Sequence, residues 1–161
     1  MTNGHGKGLI ELKRIAIIGS TGSIGVQALD VIRYHRDKLE VVALAAGNNA
    51  KLLSDQVAEF RPEYAAVFEN ESYPELTARC DCWTGQGFEA MAYLSSLEDV
   101  DLVLVAVSGA AGINPTYNAV TAGKTVGLAN KESLVAAGDV IMHLAKSTGS
   151  RILPVDSETR L

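Results

Sequence analysis

Gly19, Gly22 and Gly25 stand at three-residue intervals in Gly19-Ser20-Thr21-Gly22-Ser23-Ile24-Gly25, directly after the apolar run Arg14-Ile15-Ala16-Ile17-Ile18. A strand, a tight glycine turn and a helix N-terminus in that order make a site for a nucleotide pyrophosphate. Glycine supplies a positive φ or a close backbone approach, and the N–H groups of the first helical turn face the anion. The spacing is G-x-x-G-x-x-G rather than G-x-G-x-x-G, and a turn of this kind can also join strand to helix with no ligand at all. Gly47-Asn48-Asn49 closes the next apolar run. NAD-selective sites place Asp or Glu about 20 residues past the glycines to bond the ribose 2′-hydroxyl. Here amides stand instead. A carboxylate would repel a 2′-phosphate and amides would not, so this stretch favours NADP over NAD. Asparagine is also a good helix cap, and the two roles are compatible.

Two further stretches carry charge. Asn130-Lys131-Glu132 pairs an asparagine cap with a first-turn glutamate, which is sound helix-starting chemistry by itself. Lys131 is the odd member, because a cation is disfavoured beside a helix N-terminus; placed there it could meet an anionic substrate. Asp156 and Glu158 flank Ser157. In extended chain, side chains at i and i+2 point the same way. Two carboxylates and a hydroxyl so placed could bind a hard cation such as Mg2+ or Mn2+. Alone, an Asp-x-Glu pair is more often a solvated tail, and two carboxylates are few ligands for a dedicated metal site.

These stretches need a scaffold that brings them to one edge, and the alternation of patterns supplies it. Residues 14–18 read as a strand buried on both faces. A helix follows with Ile24, Ala28, Val31, Ile32 and His35 on one face. Residues 40–45 form a second strand, and Leu53, Val57 and Phe60 mark a second helix that Pro62 stops. Residues 64–68 form a third strand. Residues 69–99 read as a short helix over 74–78, a short strand over 82–84 and a helix over 88–97, with Trp83 a core or packing residue. Residues 100–107 are the strongest strand and run into the small-residue turn Ser108-Gly109-Ala110-Ala111-Gly112. A helix with Pro115 at its start and Gly123 at its stop leads to a strand over 124–128. The next helix places Leu134, Gly138, Ile141, Met142 and Ala145 on one side, leaves His143 off that stripe and closes at Gly149. A last strand covers 151–153. The fold class is α/β: a Rossmann-like, doubly wound, mostly parallel sheet with helices on both faces. Right-handed crossovers set Gly19, Gly47, Ser108, Ala129 and Val155 along one edge, where ligands bind in open α/β sheets.

Composition bounds the partners. The 161 residues carry net charge −5, with 47% apolar and 20% charged side chains, enough for one domain with a substantial core. No Lys/Arg-rich run exists, which argues against nucleic acid and anionic membrane as partners. No apolar run approaches the ~20 residues of a bilayer span. Residues 1–12 lack a signal or transit pattern and are expected to be a flexible tail ahead of a domain over 13–161, in a cytoplasmic protein. Cys80 and Cys82 form C-x-C, poor for a disulfide and half a zinc site at best; two unpaired thiols are expected.

Gly19-Ser20-Thr21-Gly22-Ser23-Ile24-Gly25, Leu128-Ala129-Asn130-Lys131-Glu132-Ser133-Leu134-Val135 and Leu153-Pro154-Val155-Asp156-Ser157-Glu158, taken together, resemble the motifs of the 1-deoxy-D-xylulose 5-phosphate reductoisomerase family in order and spacing, over residues 13–158. The resemblance implies an NADPH-dependent enzyme of non-mevalonate isoprenoid biosynthesis. Such an enzyme rearranges the sugar phosphate and reduces the resulting aldehyde to 2-C-methyl-D-erythritol 4-phosphate, with Mg2+, Mn2+ or Co2+. It implies that Thr21, Gly22, Ser23 and Ile24 contact the pyrophosphate side of NADPH. Gly47, Asn48 and Asn49 would lie by the adenosine ribose and its phosphate, and Asn130 and Glu132 would complete the cofactor site. Lys131, Ser157 and Glu158 would touch substrate, Lys131 and Glu158 as catalytic groups, and Asp156 and Glu158 would bind the metal. The sequence departs from the family in having Asn48 where many members have a basic residue, and Thr159 where the family has His. Family members also continue beyond this point, through the third metal carboxylate and further phosphate ligands. The expectation is therefore a cofactor-binding part of a homodimeric enzyme, itself inactive. The alternatives are a semialdehyde- or homoserine-dehydrogenase-like NADP domain and a non-catalytic nucleotide-sensing module.

Overall fold

The computed structural model describes residues 11–129 and 131–155. They form seven strands: β1 (Lys13–Ile18), β2 (Leu39–Ala46), β3 (Tyr64–Val67), β4 (Trp83–Gln86), β5 (Leu102–Val105), β6 (Thr125–Leu128) and β7 (Arg151–Pro154). Six α-helices alternate with them: α1 (Ser23–Arg33), α2 (Ala50–Phe60), α3 (Tyr73–Arg79), α4 (Gly87–Ser95), α5 (Ile113–Thr121) and α6 (Lys131–Thr148). The strand order is β4-β3-β2-β1-β5-β6-β7, and every neighbouring pair is parallel, so the sheet is wholly rather than mostly parallel.

The chain walks outward from β1 to β4, then returns to lay β5 on the other side of β1. Right-handed crossovers convert that reversal into two helical layers. Ile15 and Ile17 of β1 pack with Leu29 and Ile32 of α1, Leu53 of α2 and Leu76 of α3. Ala16 and Ile18, pointing the opposite way by the strand's two-residue period, pack with Met91 of α4, Val120 of α5 and Ile141 of α6. The reversal between β1 and β5 is the topological switch point, and it leaves a crevice at the carboxyl ends of the strands.

Two helix stripes need correction. The buried stripe of α1 is Gly25, Leu29 and Ile32; of the expected Ile24, Ala28, Val31, Ile32 and His35, Ile32 is buried, Ile24 and Ala28 are half-buried, Val31 is 37% exposed and His35 lies beyond the helix. The cause is Gly25, which must face the preceding turn and so fixes the helix's rotation. In α6, Ile141 and Ala145 are buried but Met142 is exposed, and a non-helical Ala137 (φ −135°, ψ 20°) interrupts the phase of the stripe. Of the two readings of Trp83, core or packing, the second holds: it packs edge-to-face on Tyr64 and against Tyr93 and stays 41% exposed, because β4 is an edge strand.

An ion pair ties α1 to α2 on the outer surface. Arg33 donates from Nε and Nη2 to the two carboxylate oxygens of Glu59 at 2.5 and 2.9 Å, and Arg36 and Arg33 lie over the Phe60 ring at 4.7 and 5.3 Å. The Arg33 hydrogen bonds hold the Glu59 carboxyl below its usual range against the opposing effect of burial, helped by the charges of Arg33 and Arg36. A depressed folded-state pKa contributes stability above the unfolded pKa and loses it as pH falls through the folded value. Glu59→Gln is therefore expected to lower the urea midpoint at pH 7 and to match wild type once acid has protonated Glu59. An offset that persists unchanged in acid would contradict this.

Candidate cofactor site

β1 ends at Ile18 and the chain turns at Gly19, whose φ of +102° is glycine territory. Gly19 is also pressed against the chain leaving β5: a Cβ there would sit 2.8 Å from the Ala106 carbonyl carbon. The Gly19 and Ser20 N–H groups both donate to the Ala45 carbonyl, at 2.7 and 2.9 Å, and dock the turn on the end of β2. Those two donors are taken by the protein. Gly22 follows as the extended N-cap of α1 (φ −81°, ψ 177°), and Val26 N–H donates to its carbonyl at 2.9 Å. The first-turn N–H groups of a helix have no intrahelical acceptor. The Gly22 N–H donates to the Gly19 carbonyl at 3.4 Å, and the rest of the stretch from Thr21 to Gly25 is thus where the backbone and the helix dipole offer a site to an anion.

A cleft of about 400 Å3 opens beside this turn. Ile18, Ala45 and Ala46 from the central strands and Met91 from α4 form its apolar base. Gly19, Thr21 and Gly22 border one side, Gly47, Phe68 and Glu69 the second, and Val107, Ser108 and Ala111 the third. Among the described residues no Lys, Arg or His lines it, and Glu69 is its charged member. An anion in this cleft would meet backbone donors rather than basic side chains. Phe68 is braced by Phe88, ring centroids 4.7 Å apart and planes near perpendicular.

The border at Gly47 is equally ordered. The Gly47 carbonyl accepts from the Phe68 and Glu69 N–H groups at 3.1 and 2.9 Å, and a Cβ at Gly47 would meet nothing within 4 Å. Asn49 caps α2, its side chain accepting from the Leu52 N–H at 3.1 Å. The Asn48 carbonyl accepts from the Ser72 hydroxyl at 2.8 Å. Gly47 is thereby held open to the cleft just ahead of a capped helix N-terminus.

Thr21, Gly22 and Gly47 are brought together as the sequence implied. Ser23 is exposed at the start of α1. The Ile24 side chain turns to a different, apolar groove with Ile17, Val31 and Leu104, leaving its backbone as the part relevant to an anion. Lys131 and Glu132 open α6, at the edge to which the Ala129 N–H bond to Val105 (3.0 Å) anchors the end of β6. The Val155 N–H bond to Leu128 (3.0 Å) anchors the end of β7 at that same edge. Asn130, Asp156, Ser157 and Glu158 lie outside the described residues. Among the described residues no group of three or more His, Cys, Asp or Glu is placed to hold a metal. No described helix is long and apolar enough to cross a membrane. Cys80 and Cys82 are unpaired, as expected, and burial raises both thiols above their ordinary range, against reactivity. The sequence reading missed Phe68, Glu69 and Met91. The first two follow β3 at the ligand-binding edge, a position that the strand pattern alone could have flagged.

A wholly parallel, doubly wound domain with a glycine turn at its switch point defines a Rossmann-type α/β protein. The model of the family described as 1-deoxy-D-xylulose 5-phosphate reductoisomerase matches residues 15–138, and the chain belongs to that family. A 1-deoxy-D-xylulose 5-phosphate reductoisomerase of Clostridium perfringens is 43% identical over 91% of this chain and 40% of its own length. One from Dechloromonas aromatica is 46% identical over 92% of this chain and 38% of its own length. The chain thus spans about two-fifths of the length of the curated relatives it matches. The Zymomonas mobilis enzyme solved in complex with NADPH superposes with a TM-score of 0.87 at 34% identity, over 92% of this chain and 40% of that one. A DOX-P reductoisomerase solved with magnesium gives 0.87 at 39% identity, over 92% and 38%. A homoserine dehydrogenase from Thiobacillus denitrificans, at TM-score 0.59 and 18% identity over 89% and 29%, shares the fold alone.

Proposed function

We propose that this chain is the NADPH-binding part of a 1-deoxy-D-xylulose 5-phosphate reductoisomerase of the non-mevalonate isoprenoid route. The observation that carries the reading is the turn at Gly19–Gly25. Its first two N–H groups are tied to Ala45, and the following ones open a helix beside a cleft that ends at Gly47. The residues fit the cofactor: backbone donors and a helix N-terminus for the pyrophosphate, and uncharged Gly47-Asn48-Asn49 for a phosphorylated ribose. Asn130 and Glu132 complete the cofactor site in this reading. NADPH supplies the hydride that reduces the rearranged sugar phosphate. Asp156 and Glu158, with Ser157 and Lys131, hold substrate and a divalent cation that steadies charge on the substrate's oxygens. Full-length members act as homodimers in this reading, and the 161-residue chain alone binds NADPH without turning substrate over.

The test is a titration of the chain with NADPH and NADH, read by nicotinamide fluorescence. A 2′-phosphate gaining one charge-assisted hydrogen bond and the α2 dipole is worth about 1.5–3 kcal/mol. NADPH is therefore expected to bind about tenfold to a hundredfold more tightly than NADH. Equal affinities would remove the assignment of Gly47-Asn48-Asn49 to the ribose phosphate, and binding of neither would remove the cofactor site. Steady NADPH oxidation with substrate and Mn2+ would overturn the expected inactivity of the chain alone.

A further inference from the structure

We infer that Gln56, in the middle of α2, is a positioning residue that aims the Thr21 N–H into the cofactor cleft; the inference rests on the reading of the glycine turn as an NADPH site. Ser20 is fully buried, and Gln56 is 7% exposed and 36 residues away in sequence. Their contact is reciprocal. The Ser20 hydroxyl donates to Gln56 Oε1 at 2.7 Å, and Gln56 Nε2 donates to the Ser20 carbonyl at 2.9 Å. With its own N–H bonded to Ala45 at 2.9 Å, every polar group of Ser20 is held from outside the turn.

A buried primary amide is costly unless its donors and acceptor are met, and a leucine on this inner stripe beside Leu53 would bury more cheaply. What the amide does here follows from peptide geometry. The Ser20 carbonyl and the Thr21 N–H belong to one planar trans peptide and point in opposite directions. Gln56 draws the carbonyl toward the α2 side of the sheet. The Thr21 N–H is thereby turned the other way, and Thr21 lines the cleft while Gln56 does not. This is the first donor of the turn that the Ala45 carbonyl does not take. The same helix carries Asn49 at its N-terminus, so one rigid element holds both the pyrophosphate turn and the ribose side.

Gln56→Leu removes both bonds, whereas Ser20→Ala removes the hydroxyl bond and leaves the carbonyl bond in place. Affinities of the 161-residue chain for NADPH and for 2′-AMP, which lacks the pyrophosphate, separate positioning from general damage. Gln56→Leu is expected to weaken NADPH about tenfold or more, the effect of losing one hydrogen bond to a charged group, with 2′-AMP unchanged. Ser20→Ala is expected to keep NADPH affinity within about threefold. Equal weakening of both ligands by Gln56→Leu, or no weakening of NADPH, overturns the inference. Should Gln56→Leu fail to fold, amide NMR of the wild type decides. The Thr21 amide proton is expected to move downfield as NADPH saturates the site, and a stationary Thr21 resonance at saturation overturns the inference. A wild type that binds no NADPH overturns the cofactor reading itself, a result distinct from all of these.

Discussion

Gly25→Ala is expected to lower stability by about 3 kcal/mol or more and to abolish NADPH binding. A Cβ at Gly25 would lie 2.1 Å from the Gly19 carbonyl oxygen, 2.6 Å from Ser20 Cα and 2.8 Å from the Ser20 carbonyl carbon. All three are backbone atoms, so no side-chain end can swing aside. Relief requires α1 to retreat from the turn, and the turn is held by the bonds of Gly19 and Ser20 to Ala45. Overpacking in a well-packed region costs ~1–3 kcal/mol where side chains can adjust, so a backbone collision belongs at or above that range. Against a total stability of about 5–15 kcal/mol this is a large fraction. In a domain of this size it lowers the melting temperature by roughly 10 °C. Gly22→Ala is the contrast. A Cβ there would have only the Gly19 carbonyl within reach, at 3.8 Å, and φ is −81°. Stability is expected to stay within about 1 kcal/mol, the scale of a helix-cap change. NADPH affinity is expected to fall, because Gly22 borders the cleft and the new methyl group adds bulk at that border. Urea unfolding and NADPH titration on the two variants check this. A Gly25→Ala protein that melts with wild type would show that the helix–turn contact is soft.

The same pair explains how much of the site was legible beforehand. That glycines punctuate the turn is visible in sequence, because strand, turn and helix patterns meet there. Which glycine borders the cleft and which serves packing is not, because the collision at Gly25 is a tertiary contact. That contact also turned α1 so that Leu29 joins Ile32 in the core and Val31 does not. Continuous apolar strands such as β1, β2 and β5 were legible because burial on both faces leaves a run of Val, Ile, Leu and Ala. β4, Trp83–Gln86, had no such run, since an edge strand buries little, and burial alone could not separate a core from a packing role for Trp83. Gln56 passed unread for the opposite reason. A glutamine inside an apolar stripe has no sequence signature until its partner, 36 residues away, is known. The kink at Ala137 likewise has no glycine or proline at its own position to announce it.

Arg14→Met is expected to cost about 2 kcal/mol of stability while leaving NADPH affinity unchanged. Arg14 sits at the amino end of β1, at the opposite edge of the sheet from the cleft. Its guanidinium reaches Glu40 at 2.7 Å, Glu63 at 2.6 Å and Asp99 at 2.7 Å, and Nε donates to the Asp99 carbonyl at 3.0 Å. Its own N–H donates to Asp101 at 2.8 Å. One side chain thereby gathers the starts of β1, β2, β3 and β5. Burial acts to lower the Arg14 pKa, yet the hydrogen bonds and charges of Glu63, Glu40 and Asp99 outweigh it and the net shift is upward. Single exposed ion pairs contribute ~0.2–1 kcal/mol each. Here three carboxylates share one cation whose side chain is 28% exposed, so the ordering of that side chain is incurred once for three contacts. Removing it also leaves Glu40, Glu63 and Asp99 facing one another uncompensated. The cost should be greatest at neutral pH and low salt, and should shrink as salt screens the carboxylates or acid neutralises them. Arg14→Lys keeps the charge but not the fork, and is expected to recover about half. Urea unfolding across pH and salt measures the first effect, and NADPH titration the second. An Arg14→Met protein that keeps wild-type stability but loses NADPH would mean that this cluster is coupled to the cleft across the whole sheet.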